Sequence, residues 1–330
     1  MTAIFSPSNT ALRLIIIALV YYGFHKLAFL FLDPVQQVSL IWPPSGFALA
    51  VLLLSPKSQL RSTILVLCLV NLFSNYVSSG LIILSFGYLA ANLSQAVLGW
   101  AVLTSLCTEG IAFTHVSEVL ILIGVGTLGT AMTSLIGAGT TVLANQVAFE
   151  SSYWTWWTSD SLGVLLITPL VVTWTRFRME RPRYSVVEGL FFLTLWCATS
   201  WLVFHGIGQV FVPYPYLMMA LLVWAVLKFG ARGVATAMVI LAAIAISGIT
   251  LTSPFPVLGG KSLTEQLLLV QLYLGVSTIT GLLLSASLAE TKLAEQASRE
   301  DQLRLRLLGD NLPNGMIYLE FRQKRDPEET

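Results

Sequence analysis

Residues 153–169 read YWTWWTSDSLGVLLITP. The stretch is aromatic and apolar, yet it contains an acid, Asp160. The rest of the chain offers that acid little water. Of 330 residues, 55% are hydrophobic and only 11% are charged, and the mean hydropathy is +0.78. A soluble domain carries about 25% charged residues. So few charges cannot cover a water-facing surface, and lipid is the natural solvent for most of this chain. A carboxylate in that setting needs a partner or has a task.

A spanning helix needs about 20 mostly apolar residues. Ten stretches qualify: 11–32, 38–54, 60–79, 81–106, 117–145, 153–174, 186–208, 213–229, 232–251 and 265–289. The first is too long for a cleaved leader and lacks a small-residue cleavage site. The second is short and opens with WPPSG, so eight spans plus a re-entrant pair fits the same pattern. Of the 18 lysines and arginines, all but Lys26 and Lys261 fall on the side that carries both termini. The positive-inside rule therefore predicts cytoplasmic termini.

Ionisable groups inside a membrane are functional candidates. Counted along the helix, Asp160 lies about 10 Å below one end of its span, and Lys26 about 9 Å below the matching end of the first. The equal depths predict that the two pair, directly or through His25 or a water, since a paired ion is tolerated where a lone one is not. A ligand or ion site at Asp160 is the competing reading. Around Asp160, Trp156 at i−4 and Gly163 at i+3 offer an indole N–H and a bare backbone patch for another helix.

Asn71, Asn75, Asn92, Gln95 and His205 also fall inside spans. The amides are read first as bonds between helices, with a ligand role as the alternative. Tyr153, Trp154, Trp156 and Trp157 resemble an interfacial aromatic belt. No His, Cys and carboxylate spacing predicts a metal site. Cys68, Cys107 and Cys197 are isolated in apolar runs and predict no disulfide. No basic tract predicts a nucleic-acid partner. WPPSG, VPYPYL and LTSPFPVLGG fall at span ends, where proline breaks helices and irregular backbone lines pockets.

After Glu290 the composition changes. ETKLAEQASREDQLRLRLLGDNLPNG is charged and helix-forming, with favourable i,i+4 pairs from Glu295 to Arg299 and from Glu300 to Arg304. Leu288, Leu293, Leu303 and Leu307 make an intermittent apolar stripe, which predicts a homodimer through the last helix and tail. LPNG then predicts a turn, and MIYLEF a short strand. A lone strand is not stable, so the chain is expected to stop just inside a second domain.

IWPPSGFALAVLLL, YWTWWTSDSLGVLLITPL, PYPYLMMALLVWAVLKFGARG and the run ending SASLAE resemble the first type of the bacterial membrane-associated sensor (MASE) input domains, over about residues 11 to 290. LRLLGDNLPNGMIY looks like the start of a PAS domain. The resemblance marks Trp42, Pro43, Pro44, Gly46, Trp157, Asp160, Gly163 and Pro169 as family-typical. It implies an integral sensor domain at 1–290, a cytoplasmic signalling helix at 291–308 and the truncated start of a PAS domain at 309–330. The expected fold is an all-α transmembrane bundle followed by the first strand of an α/β PAS domain.

The expected function is a sensory input module. It would take an unknown small-molecule or protein signal and pass it to a cytoplasmic output enzyme. A histidine kinase is favoured, with a diguanylate cyclase or phosphodiesterase as the alternative. A small-molecule or ion transporter is the rival class, though no internal repeat supports it. No HExxH, GxSxG, Cys–His or paired-carboxylate arrangement predicts catalysis within these residues, and no cofactor is expected.

Overall fold

The computed structural model describes residues 10–29, 39–107, 110–145, 147–175, 185–205, 215–251 and 263–311. Their regular structure is helical: α1 (Thr10–Ala28), α2 (Pro43–Leu54), α3 (Leu60–Ser79), α4 (Ile82–Leu106), α5 (Val116–Gly124), α6 (Thr130–Asn145), α7 (Phe149–Thr175), α8 (Val186–Phe204), α9 (Leu217–Leu251) and α10 (Leu263–Asn311). The chain divides into two compact units, Met1–Ser287 and Leu288–Thr330. In the second unit the described residues are helical, and Leu293, Leu303 and Leu307 are exposed. The strand and PAS start expected after residue 311 lie outside the described residues.

Polarity in the first unit is inverted relative to a water-soluble protein. Ile83, Leu128, Met132 and Leu143 are 71–83% exposed, while Asn71, Asn75, Asn92 and Gln95 are buried. Outward leucine and inward amide fit a bundle whose surroundings are hydrocarbon. Cys68, Cys107 and Cys197 are free and half-exposed.

Local signals end the helices where the chemistry requires. Ser185 accepts a hydrogen bond from the Glu188 N–H at 3.0 Å and so caps α8. Gly80, at φ +69°, closes α3 in the left-handed region that a side chain would resist. Residues 125–129, VGTLG, form a π-helical stretch between α5 and α6. Such a stretch disturbs the regular carbonyl ladder, and the Thr127 carbonyl there accepts the Trp157 indole N–H at 2.8 Å.

Seven helices among the described residues are long and apolar enough to cross a membrane: Thr10–Ala28, Lys57–Ser79, Ile82–Leu106, Val116–Ala144, Val186–Phe204, Leu217–Gly248 and Glu265–Leu307. The expectation was about ten spans, or eight plus a re-entrant pair, and three of the ten stretches are not matched one to one by these seven helices. The stretch 38–54 yields only the 12-residue α2, about 18 Å long against a hydrocarbon core of about 30 Å. α7 has 27 residues, but its serines, threonines and Asp160 dilute its apolar character. The stretches 213–229 and 232–251 fall within the single α9.

α9 nevertheless reverses at Gly230, whose φ of 61° and ψ of −159° are non-helical. Before the glycine, Met218 lies at Ser200 and Phe229 at Phe192, so this half runs antiparallel to α8. After it, the Ala237 carbonyl meets Trp196 and Gly248 meets the Phe204 backbone, so the second half runs parallel to α8.

α2 is the centre of the bundle. Every residue from Pro43 to Leu53 is buried. It runs antiparallel to α1, from Trp42 beside His25 (ring centroids 5.2 Å apart) to Ser55, which accepts a hydrogen bond from Arg13. Proline in the first two positions suits the helix start, where backbone N–H groups have no internal partner. α2 crosses α7 with no side chain between the two backbones. A Cβ on Gly46 would lie 2.0 Å from the Gly163 carbonyl oxygen, and one on Gly163 would lie 2.1 Å from that of Trp42.

Candidate functional site

That close approach joins two sequence stretches more than a hundred residues apart. The Trp42 N–H donates to the Ser159 carbonyl at 3.1 Å. The Ser45 hydroxyl donates to Asp160 Oδ1 at 2.5 Å. The Thr168 hydroxyl donates to the Gly46 carbonyl at 3.0 Å. WPPSG on α2 and SDSLGVLLITP on α7 therefore form one clamp, held by three hydrogen bonds and a glycine–glycine crossing. Pro169, inside α7, cannot donate to the helical ladder.

Asp160 is 3% exposed and lies against the first turn of α2. The positive end of the helix dipole favours an anion there. A cavity of about 350 Å³ opens beside it. Its walls are Phe29 at the end of α1, Ser39 and Trp42 before α2, Asn75, Ser78 and Ser79 on α3, Leu81, Leu84 and Tyr88 around α4, Thr141 and Ala144 on α6, and Trp156, Ser159 and Asp160 on α7. Trp156 stacks on Tyr88 with ring centroids 5.5 Å apart, and its indole N–H donates to the Thr141 hydroxyl at 2.8 Å. Phe29 and Trp42 meet edge to face at 6.2 Å.

Asp160 and Lys26 form no direct ion pair. Lys26 is exposed, with its ammonium 5.4 Å from the centroid of the Tyr22 ring. The only described hydrogen-bond partner of Asp160 is Ser45. The reason is angular. Successive residues of a helix point about 100° apart, so His25 faces inward at 0% exposure while Lys26 faces out. The start of α2 and the Ser45 hydroxyl stand where the lysine was expected.

The other candidates fall into two groups. Asn75, Trp156 and Trp42 line the cavity with Asp160, and His25 packs edge-on against Trp42 just behind it. Asn75 donates to Asn71 Oδ1 at 2.7 Å, and Asn71 donates to the Tyr21 hydroxyl at 2.5 Å. This chain ties α3 to α1. The remaining candidates lie elsewhere. Trp157 serves the π stretch. Asn92 and Gln95 are buried, and Asn92 borders a small second cavity with Tyr21 and Asn71. His205 stacks on Trp201 at 3.8 Å, at the end of α8. Among the described residues, no cluster of His, Cys, Asp and Glu could hold a metal ion.

Sequence reasoning missed three participants. Ser159 precedes Asp160 and is 2% exposed. Tyr88 carried no signal beyond its aromaticity. Gln271 of α10, 7% exposed, donates to the Leu40 carbonyl at 2.8 Å, two residues from Trp42. Its amide inside the last apolar span was the signal that could have found it.

A comparison with curated proteins finds no match, and one with solved structures finds none. The MASE1 family matches residues 10–292, which take in the clamp, the cavity walls and the membrane part of α10. The chain therefore belongs to the MASE1 family, the membrane sensory input domains of signalling proteins.

Proposed function

We propose that the cavity beside Asp160 receives the signal and that α10 reads it. One observation carries this reading: Gln271 of α10 holds the Leu40 carbonyl at 2.8 Å, in the short segment that also supplies Ser39 and Trp42 to the cavity wall. A guest that favours one arrangement of this segment biases α10 through that bond. Differential affinity for two states is what shifts an equilibrium. α10 runs on to Asn311, so the bias has a helical route toward a following domain.

In this reading the charge distribution sets the orientation. Both termini face the cytoplasm of an inner membrane, and the cavity opens toward the outer side. The exposed Leu293, Leu303 and Leu307 mate with a second copy. The tail leads into a PAS domain and then a sensor histidine kinase. Assaying the full-length protein for autophosphorylation and for cyclic-di-GMP turnover separates this output from the alternative.

The test of the sensory reading joins residues 1–308 to a kinase output domain in membranes. The Gln271→Ala and Asp160→Asn forms are then compared with the parent across lipid compositions and added solutes. The expected result is a response in the parent that either substitution abolishes or locks. An output that never changes in the parent, or changes equally in all three, overturns it.

A further inference from the structure

We propose that the cavity binds a small organic ammonium ion carrying N–H donors, held by the Asp160 carboxylate against the faces of Trp42, Tyr88 and Trp156. The inference rests on the sensory reading above and names the chemical class of the guest.

Charge is the first argument. Asp160 is 3% exposed, and Ser45 satisfies only its Oδ1. Asp160 also lines the cavity, and none of the described lining residues is Lys, Arg or His. A buried carboxylate without a counter-charge is costly, and a hydroxyl with half a helix charge offsets only part of that cost. A bound cation supplies the remainder. No cluster of three or more His, Cys, Asp or Glu accompanies Asp160 among the described residues, and the choice of an organic cation rests on the aromatic walls.

The walls are the second argument. Aromatic faces attract a cation through the ring quadrupole. Trp156 and Tyr88 are stacked, and the indole N–H of Trp156 is already donated to Thr141. The Ser159 hydroxyl, in a residue 2% exposed, has no hydrogen-bond partner among the described residues, and Asn75 stands on the α3 side. These groups favour a protonated amine, whose N–H groups need acceptors, over a quaternary one. The volume of about 350 Å³ lies at the small end of ligand pockets and suits an amine with a short apolar body.

The experiment uses the whole chain in lipid nanodiscs and four probes: 2-phenylethylammonium, tetramethylammonium, uncharged 2-phenylethanol and anionic 3-phenylpropionate. Binding is followed by tryptophan fluorescence and by the shift in thermal unfolding. The expected order is phenylethylammonium first, tetramethylammonium weaker, and the alcohol and acid weaker still, by more than about tenfold. Asp160→Asn removes the preference for the cation, and Ser159→Ala weakens the amine but not tetramethylammonium.

The comparison of amine with alcohol needs no variant, so a misfolded Asp160→Asn protein does not blunt the test. Equal binding of alcohol and amine, binding of neither cation, or an infrared band of a protonated Asp160 carboxyl that persists with amine present overturns the proposal. Amine binding without any response of the fused output domain defeats the sensory reading and leaves the site. A response to other signals without amine binding does the reverse.

Discussion

The two ends of α2 each face a buried charge of matching sign, and they treat it differently. At the C-terminal end, Arg13 is 1% exposed, and its guanidinium donates to the side-chain oxygens of Gln59, Ser55 and Thr63. Helix carbonyls accumulate negative charge there, which a cation complements. At the N-terminal end, Asp160 receives one hydroxyl, from Ser45, and faces open volume. One end is enclosed by three acceptors from the chain itself. The other is left partly unmet beside aromatic walls. The same electrostatic device fastens α2 at one end and leaves a carboxylate beside a cavity at the other.

The sharpest way to break this comparison is to remove Arg13. Arg13→Ala strands the acceptors that converge on it, and hydrogen bonds to charged groups are worth up to about 3 kcal/mol each. We expect a loss of about 3 kcal/mol or more in detergent unfolding titrations, with little folded protein left at elevated temperature. A near-neutral result would mean that this end is not the fastened one.

Gly163→Ala comes next. Its Cβ would sit 2.1 Å from the Trp42 carbonyl oxygen, so the clamp must open, at a cost of about 2 kcal/mol. Ligand response should fall with stability, because the cavity shares this wall. Thr168→Val deletes one bond of the clamp, to the Gly46 carbonyl, and should cost about 1 kcal/mol in the same titration.

The smallest stability effect is expected at Asp160→Asn. The amide keeps an acceptor oxygen for Ser45, and a lone buried charge disappears, so unfolding should move by less than about 1 kcal/mol. Output of the fused kinase should change fully all the same. If instead this substitution unfolds the protein as Arg13→Ala does, the two ends of α2 are equivalent and the asymmetry is lost.

Much of this architecture was legible in the residues. Hydropathy located the helices because lipid-facing and buried positions are both apolar. Asp160 stood out because acids are rare in such company. The Asn71–Asn75 pair was visible as a four-residue spacing that places both on one face. The azimuth of Lys26 was not legible: depth follows from counting residues, but rotation about the helix axis depends on which neighbours pack against it. The shortness of α2 was legible in WPPSG, which allowed a re-entrant segment, but the bond from the Trp42 backbone to Ser159 was not. The meeting of WPPSG with SDSLG is a tertiary fact, set by two glycines that admit each other's backbones. Gly230 was read as a gap between helices, and the structure makes it the point where one helical run doubles back.

Gly46 and Gly163 leave no deformable layer between their helices. Side chains can change rotamer and absorb a small push, whereas peptide groups in direct contact cannot. Any tilt that a guest imposes near Trp42 must therefore be shared by α2 and α7 as a single rigid wedge. With no cushion between them, a displacement of the α2 backbone at this crossing passes directly to the α7 backbone.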